Sequence, residues 1–293
     1  MSEFATHHPL VTAAYFASVL LITMFVPHPL VSVWAMIGAL GFFLKAERPV
    51  NRYKGLGFYL FFFAAAALSN PLFSHNGATV LLFINGNPIT AESLLYGVHL
   101  GVMLLAVIYW FRSFTLVMSD DKLLYLCGKL SAKMALLLSA ALRFLPLFQR
   151  QSEKIRLTQK TMGLFASDTW LDRLRGTIRV YSVLITWALE RAIDSGASMK
   201  ERGYGLRGRT HYALYTFRRR DAVLLGTVVL LDGWILAAAG MGELAFAFYP
   251  TLSPIMADGF GLSALIAFAI LSLLPLIIEV KGDLQWHCYR SNI

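Results

Sequence analysis

The 293-residue sequence has little charge and almost no cysteine. Only 15% of its residues are charged, against roughly 25% in an ordinary soluble domain, and the mean hydropathy is +0.60. Such a composition argues against a soluble globular protein and indicates a chain that lies in a membrane. The two cysteines, Cys127 and Cys288, are far apart and have no Cys or His neighbour at metal-ligand spacing. The sequence therefore predicts neither a disulfide framework nor a zinc site.

The common signatures of membrane enzymes and motors are also missing. The sequence contains no GxxxxGK[ST] phosphate loop, no HExxH and no GxSxG. We therefore expect no ATP hydrolysis by this chain, no catalytic residue, no cofactor and no metal site. His99 lies alone on an apolar segment, and we interpret it as a packing residue rather than a metal ligand.

Six apolar stretches predict membrane-spanning helices, given that about 20 apolar residues cross the hydrocarbon core. They contain no Lys or Arg, and Asp232 is the one acidic residue among them. An acid within a bilayer has by default a functional interpretation, so Asp232 either has a proton or ion role or is a protonated, hydrogen-bonded carboxyl group. We predict an all-α membrane protein with spans at Leu10–Val26, Leu30–Leu44, Leu56–Phe73, Leu94–Phe111, Ala222–Gly240 and Leu262–Ile278.

All 26 Lys and Arg residues fall on one side of this arrangement. Nineteen lie between Lys122 and Arg220, and none lies in the connections 27–29, 74–93 and 241–261. By the positive-inside rule, both termini and the basic middle are predicted to be cytoplasmic, in a multi-pass protein of the plasma membrane. The first span is expected to remain in the mature protein, because no Lys or Arg precedes it and no small-residue cleavage site follows it.

The chain is thus predicted to have three parts: four spans in 1–119, a basic region in 120–221, and two spans with a cytoplasmic tail in 222–293. In the basic region, apolar residues spaced by three or four from Leu123 to Phe148 indicate an amphipathic helix at the interface, which Pro146 should kink.

A second helix is predicted from Thr169 to Arg202, opened by a loose capping box between Thr169 and Asp172. Its apolar positions repeat over three heptads as in a coiled coil, so a partner for this seam is expected. The seam residues are Leu171, Leu174, Ile178, Tyr181, Ile185, Ala188 and Ala192.

The ends of the two helices are similar in sequence. Lys160-Thr161-Met162-Gly163 and Lys200-Glu201-Arg202-Gly203 each place a lysine in the last turn and a glycine where a left-handed C-cap would lie. The pattern has two interpretations: two ordinary, well-terminated helices, or two basic tips that bind an acidic partner.

Four unlike stretches occur together in an order typical of one family. They are Asn70-Pro71-Leu72-Phe73-Ser74-His75; Gly86-Asn87-Pro88-Ile89-Thr90 with Glu92 and Tyr96-Gly97; Ala141-Leu142-Arg143-Phe144-Leu145-Pro146; and Ser198-Met199-Lys200-Glu201-Arg202-Gly203-Tyr204-Gly205 with Gly208-Arg209-Thr210. Together they resemble the transmembrane T component of energy-coupling factor (ECF) transporters, including the cobalt-transporter relatives.

The resemblance implies a protein that is not an enzyme. It would join two ABC-type ATPases, identical or different, to a small substrate-binding S component in the membrane. In the family, two cytoplasmic coupling helices end in Ala-Arg-Gly-type motifs that dock on the ATPases. Glu201-Arg202-Gly203 matches the second motif, with Arg202 as the ion-pairing residue, whereas Thr161-Met162-Gly163 keeps only the glycine of the first.

That departure predicts asymmetric docking. Methionine cannot form the bidentate contact that arginine makes with a carboxylate, so contact at the first tip is expected to be apolar or to involve Lys160. The resemblance further implies vitamin or cobalt uptake, with the substrate chosen by the S component. Membrane lipid is the other expected partner, and nucleic acid is not. The S component is expected to contact the apolar face that carries Leu130, Met134, Leu137, Phe144 and Phe148.

Two other classes stay open from the residues alone. One is an integral-membrane enzyme whose basic middle binds anionic lipid, and the other is an ion channel or transporter that acts alone. The spans lack paired carboxylates and broken-helix repeats, which disfavours both classes. A coupling subunit should co-purify with ATP-binding proteins, whereas the other two should function by themselves.

Overall fold

A computed structural model describes residues 3–47, 55–74, 76–84, 87–163, 169–206, 215–255 and 259–291. The predicted motif residues His75, Gly86 and 208–210 lie outside these ranges. The chain divides into two compact units. The first combines residues 1–123 with 215–293, and the second comprises residues 124–214.

Nine α-helices and one hairpin are formed by the described residues. In the first unit these are α1 (Pro9–Phe25), α2 (Pro29–Ala46), α3 (Leu56–Phe73), β1 (Val80–Ile84), β2 (Asn87–Thr90), α4 (Ala91–Val117), α8 (Arg219–Gly240) and α9 (Gly259–Ser291). Helix α5 (Asp120–Leu130) begins in the first unit and ends in the second, which contains α6 (Ala132–Thr161) and α7 (Trp170–Glu201). The all-α membrane fold is confirmed.

Each of the six predicted spans is a helix. Within the part of the chain that the structure describes, α2, α3, α4, α8 and the segment Gly259–Trp286 are long and apolar enough to cross a membrane. Helix α1 is equally apolar but has 17 residues. Its buried side chains pack against the other helices, so α1 belongs to the same bundle.

Helices α1 and α2 begin in the same way. In each, a histidine precedes a proline at the first helical position, and its ring Nδ1 accepts a hydrogen bond of 3.2 Å from a backbone N–H in the first turn. These rings, from His8 and His28, replace the usual Ser or Asp caps. Burial lowers the pKa of His28, which favours the neutral ring that this acceptor role requires.

The core of the first unit is built mainly from aromatic side chains. Trp110 is fully buried among α1, α2 and α4, and its indole N–H donates to the carbonyl of Ala35 at 3.1 Å. The Tyr15 hydroxyl donates to the carbonyl of Leu271 at 3.0 Å, and the Phe16 ring contacts Trp110 edge-on. Because the Trp110 N–H and the Tyr15 O–H each have a backbone partner, these two large side chains are buried without an unpaired donor.

Two of the motif stretches meet between α3 and α4. A Cβ on Gly97 would lie 2.3 Å from the carbonyl oxygen of Ala67, so only glycine allows this approach. The Asn70 side-chain amide donates to the carbonyl of Ser93 at 2.7 Å and to the Tyr249 hydroxyl at 2.9 Å. These motif residues therefore hold the bundle together.

Residues Val80–Ile84, which lie between α3 and α4, form the strand β1. β1 pairs antiparallel with β2, and the hairpin leads directly into α4. The Glu92 carboxylate accepts hydrogen bonds from the Thr79 N–H and hydroxyl at 3.2 and 2.8 Å. Glu92 thereby fixes the hairpin to the first turn of α4.

Two local predictions in the basic region are wrong. The amphipathic pattern from Leu123 to Phe148 is divided between α5 and α6, because Ser131 adopts an extended conformation. Helix α6 contains Pro146 in its interior, and the kink expected there stays a prediction. At the start of α7, the Thr169 hydroxyl donates to the Asp172 carboxylate at 3.1 Å, and no side chain caps the helix. The capping box is therefore not formed.

Candidate functional site: two helix tips

The two predicted tips have nearly the same backbone geometry. Met162 and Arg202 are the C-cap residues, with φ, ψ of −82°, 5° and −80°, 10°. The glycines that follow, Gly163 and Gly203, have φ of +73° and +81°. Their N–H groups donate to the carbonyls of Lys160 and Lys200 at 3.1 and 2.9 Å. The similarity seen in the sequence is thus a similarity of structure.

The end of α7 is a complete Schellman motif. Besides the Gly203 bond, the N–H of Tyr204 donates to the carbonyl of Met199 at 3.0 Å. These bonds satisfy the last carbonyls of the helix from within. The side chains at the tip are consequently not needed for capping and are free to bind a partner.

The side chains at both tips are exposed. Met162 is 69% accessible, and Lys160, Thr161, Lys200, Glu201 and Arg202 also lie in solvent. Among the described residues, no ion-pair partner is found for the Arg202 guanidinium. The Arg202 tip presents a forked cation, whereas the Met162 tip presents an apolar side chain with a lysine two residues before it.

Helices α6 and α7 pack against each other in opposite directions. The rings of Phe148 and Trp187 meet with centroids 5.8 Å apart. If the helices ran parallel through that contact, the end of α6 and the start of α7 would be about 45 Å apart. The connection 162–169 could span roughly 30 Å at most. The helices are therefore antiparallel, and the two tips lie on opposite sides of the contact.

The predicted coiled-coil seam of α7 does not face α6. The buried residues of α7 are Gly176 and Val180, whereas Leu171 and Ile178 of the seam are 56% and 60% exposed. At 3.6 residues per turn, the seam lies roughly 150° around the helix from Gly176 and Val180. The Trp187 ring, which packs on Phe148 of α6, marks the packed face instead of the Leu and Ile repeat.

The face predicted for the S component is partly occupied. Phe144 and Phe148 stack on each other at 5.9 Å, and Phe148 also packs on Trp187. Leu130, Met134 and Leu137 remain bare, at 93%, 59% and 67% exposure. The face available for a partner is therefore the first turns of α6 and the end of α5.

The intramembrane residues singled out from the sequence lie within the first unit. The His99 ring packs against Phe248 and Tyr96, as a packing histidine would. One carboxylate oxygen of Asp232 is buried without a hydrogen-bond partner among the described residues. No group of three potential metal ligands occurs in the part of the chain that the structure describes.

The sequence pattern did not predict the contact that joins α6 and α7. Trp187 is the residue that pairs with Phe148, but it lies outside the heptad pattern that directed attention to the seam. The available signal was a tryptophan two turns after Val180 and one turn before Arg191 on the same face of the helix. Arg191 lies over the same ring at 5.9 Å.

These features define an all-α integral membrane protein with a separate, basic pair of helices whose ends are exposed. The family of cobalt transport proteins, CbiQ, matches residues 4–212. The chain therefore belongs to the CbiQ family, whose members are membrane components of transporters and not enzymes.

Several curated relatives carry the same description, energy-coupling factor transporter transmembrane protein EcfT. The protein from Listeria innocua is 30% identical over 204 residues, which cover 66% of this chain and 73% of the relative. Those from Bacillus selenitireducens and Staphylococcus aureus are 26% identical over 238 and 230 residues, covering 76% and 73% of this chain and 88% and 85% of the relatives. The chain is thus a T component of the ECF type.

Proposed function

We propose that this chain passes ATP-driven motion from two ABC-type ATPases to a substrate-binding S component in the membrane. The observation that carries the proposal is the pair of exposed helix tips with matching C-cap geometry. Two similar tips suit two similar grooves, as a pair of related ATPase subunits would offer. The chain itself contains no phosphate loop, so ATP hydrolysis belongs to its partners.

Because α6 and α7 pack antiparallel, the two tips lie at similar distances from the contact between the helices. Gly163 and Gly203 each lie about 20 to 25 Å along their helix from the Phe148–Trp187 contact. When nucleotide closes an ATPase pair, both tips would be displaced, and packed helices move as nearly rigid bodies because their interface does not deform continuously. The contact then acts as the point about which the motion is transmitted.

The arrangement requires both tips on the side of the ATPases. By the positive-inside rule, the Lys and Arg distribution supports a cytoplasmic location for the basic region, residues 120–221, and for both termini of a plasma-membrane protein. The four spans in 1–119 and the two in 222–293 would then form the membrane part.

The two tips are proposed to bind unequally. Arg202 offers five donors in a planar fork, which suits a carboxylate in an ATPase groove. Met162 offers apolar contact, with Lys160 as the nearby cation. The charge-dependent part of the affinity is therefore assigned to the α7 tip.

The S component is assigned to the bare apolar face of α5 and α6. Exposed large apolar side chains on a soluble surface would favour aggregation, but next to a membrane they suit a hydrophobic partner. Leu130, Met134 and Leu137 form this face. A vitamin or a metal such as cobalt is the proposed class of cargo, bound by the S component and not by this chain.

Purification of the tagged chain in mild detergent, with identification of the co-purifying proteins, tests the proposal. Two ATP-binding chains and one small membrane protein are expected. Loss of the ATP-binding chains alone should follow a double change at the tips, Met162→Glu with Arg202→Glu. The matched control is Ile193→Glu, which changes an exposed apolar residue of α7 away from the tip. A purified chain that binds no ATPase but conducts ions or turns over a lipid after reconstitution would contradict the proposal.

A further inference from the structure

A short N-terminal segment, residues 3–8, is inserted into the end of the helical bundle. The Phe4 ring is fully buried and meets Tyr15 and Phe42 edge-on, with centroids 5.4 and 5.8 Å away. The Phe4 N–H donates to the buried carboxylate of Glu279 at 3.1 Å. The buried ring and the bonded amide of Phe4 fix this segment to the bundle.

This segment holds the start of the basic region. The Lys122 ammonium donates to the carbonyl of Ala5 at 2.6 Å and to that of Val117 at 2.9 Å. Lys122 is only 7% exposed, and burial lowers its pKa. A buried ammonium without partners is very unfavourable, so the two carbonyls are what keep Lys122 in place.

The same segment holds the end of the basic region. One carboxylate oxygen of Asp221 contacts the His7 ring Nδ1 at 2.8 Å and accepts from the N–H of His8 at 3.3 Å. The other accepts from the N–H of Arg218 at 3.0 Å. Arg220 adds hydrogen bonds to the carbonyl and hydroxyl of Thr6, at 3.4 and 3.3 Å. Asp221 is 2% exposed, so its partners are protein groups rather than water.

Lys122 and Asp221 are about a hundred residues apart and flank everything between the fourth and fifth spans. No hydrogen bond or ion pair joins them directly among the described contacts. Both are bound to residues 5–8, and all of these contacts lie within the first unit. The N-terminal segment is thus the shared attachment of both ends of the region that carries the helix tips.

We propose that residues 3–8 form a clamp that ties the two ends of the basic region to each other and to the membrane helices, so that a displacement of the helix tips reaches the bundle through both ends together. Lys122 and Asp221 are positioning residues in this clamp. The inference rests on the proposed coupling function. Without a shared attachment, displacement of the tips could move only one end of the basic region. That end would then unfold locally, and the displacement would not reach the membrane helices.

Hydrogen exchange of the chain in lipid nanodiscs tests the clamp, because a substitution at one attached end should change exchange at the other end. Lys122→Met should accelerate amide exchange roughly tenfold or more, not only at residues 4–8 but also at 218–222 on the opposite side of the clamp. Asp221→Asn should likewise accelerate exchange at 118–123. Arg220→Gln, at an exposed position, should give a smaller effect in the same direction.

The matched control is Lys129→Met, which removes an exposed lysine from the same helix as Lys122 and should leave both sites unchanged. Acceleration confined to each variant's own neighbourhood would overturn the clamp. If Lys122→Met or Asp221→Asn fails to fold, the amide exchange rates measured in Arg220→Gln decide the outcome by themselves.

A second measurement separates the clamp from the proposed function. In the complex with the ATPases, a non-hydrolysable ATP analogue should change exchange at 118–123 and 218–222 together in the unaltered chain, and at only one of them in Lys122→Met. A change in exchange at only one of these two sites in the unaltered chain would overturn the clamp. If no ATPase binds, the proposed coupling function fails, while the nanodisc result on the clamp stands.

Discussion

The two units of this protein differ in how their apolar side chains are used. In the first unit, Trp110, Phe16 and Phe42 are fully buried in one aromatic core. In the described part of the second unit, Ile155 and Val180 are the buried large apolar residues, and long rows of Leu and Ile are exposed. The first unit thus has an aromatic core of its own, whereas the described part of the second buries few large apolar side chains.

The largest expected difference in the free energy of unfolding comes from replacing one tryptophan in each unit. Trp110→Ala removes a fully buried ring and its bond to Ala35, and should lower the free energy of unfolding by about 3–5 kcal/mol. Trp170→Ala, at 72% exposure, should change it by less than about 0.5 kcal/mol. Unfolding in mixed detergent measures both. Equal losses would show that the two units do not differ in this way.

The next effect concerns the two tips within the second unit. Arg202→Glu should weaken capture of the ATPases by roughly tenfold to a hundredfold, because a charge-assisted pair is replaced by repulsion. Met162→Glu should weaken it less, since that tip contributes apolar contact. Titration of purified ATPase onto the immobilised chain gives both affinities. Equal losses, or none from Arg202→Glu, would remove the proposed asymmetry.

Two glycines of α7 should respond in opposite directions to the same change. Gly203→Ala places a Cβ at φ +81° and should cost about 1–2 kcal/mol at the tip. Gly196→Ala lies within the helix with nothing near the added methyl, and should stabilise α7 by about 0.5–1 kcal/mol. Thermal unfolding followed by circular dichroism provides the comparison. Stabilisation by Gly203→Ala would mean that the left-handed cap is not the populated form.

The smallest effect belongs to the first unit and depends on pH. Burial lowers the pKa of His28 below its ordinary value of 6.5, so the folded state binds fewer protons than the unfolded state. The contribution of His28 to the free energy of unfolding is therefore fully present above pH 6.5 and is lost as the pH falls below that value. The protonated ring no longer has an acceptor for the Leu30 N–H. His28→Asn keeps an acceptor that does not titrate and should flatten the acid side of the profile. An unchanged profile in the variant would assign the loss to other groups.

The sequence predicted the spans well because lipid demands long apolar runs, but it placed their ends poorly. The fourth span was expected to end before Arg112, yet α4 continues to Val117. Arg112 is accommodated there by the Glu47 carboxylate at 3.7 Å and by the Phe43 ring at 4.8 Å. Such tertiary partners are invisible in a hydropathy pattern.

The tips were predictable and the helix interface was not, for a physical reason. A glycine after a basic last turn is a local signal, so Gly163 and Gly203 identified the caps without knowledge of the fold. The face by which α7 packs depends on Trp187 meeting Phe148 of α6 in space. A repeat of Leu and Ile indicates only that some apolar partner exists.

The central claim, that the helix tips are moved by nucleotide, can be tested by one distance measurement. Spin labels at Leu157→Cys and Ala197→Cys, both exposed and each within two turns of a tip, report on the separation of α6 and α7 once Cys127 and Cys288 are replaced by serine. In the complex with the ATPases, binding of a non-hydrolysable ATP analogue should shift this distance, and the isolated chain should not respond. An identical distance distribution with and without nucleotide in the assembled complex would contradict the account.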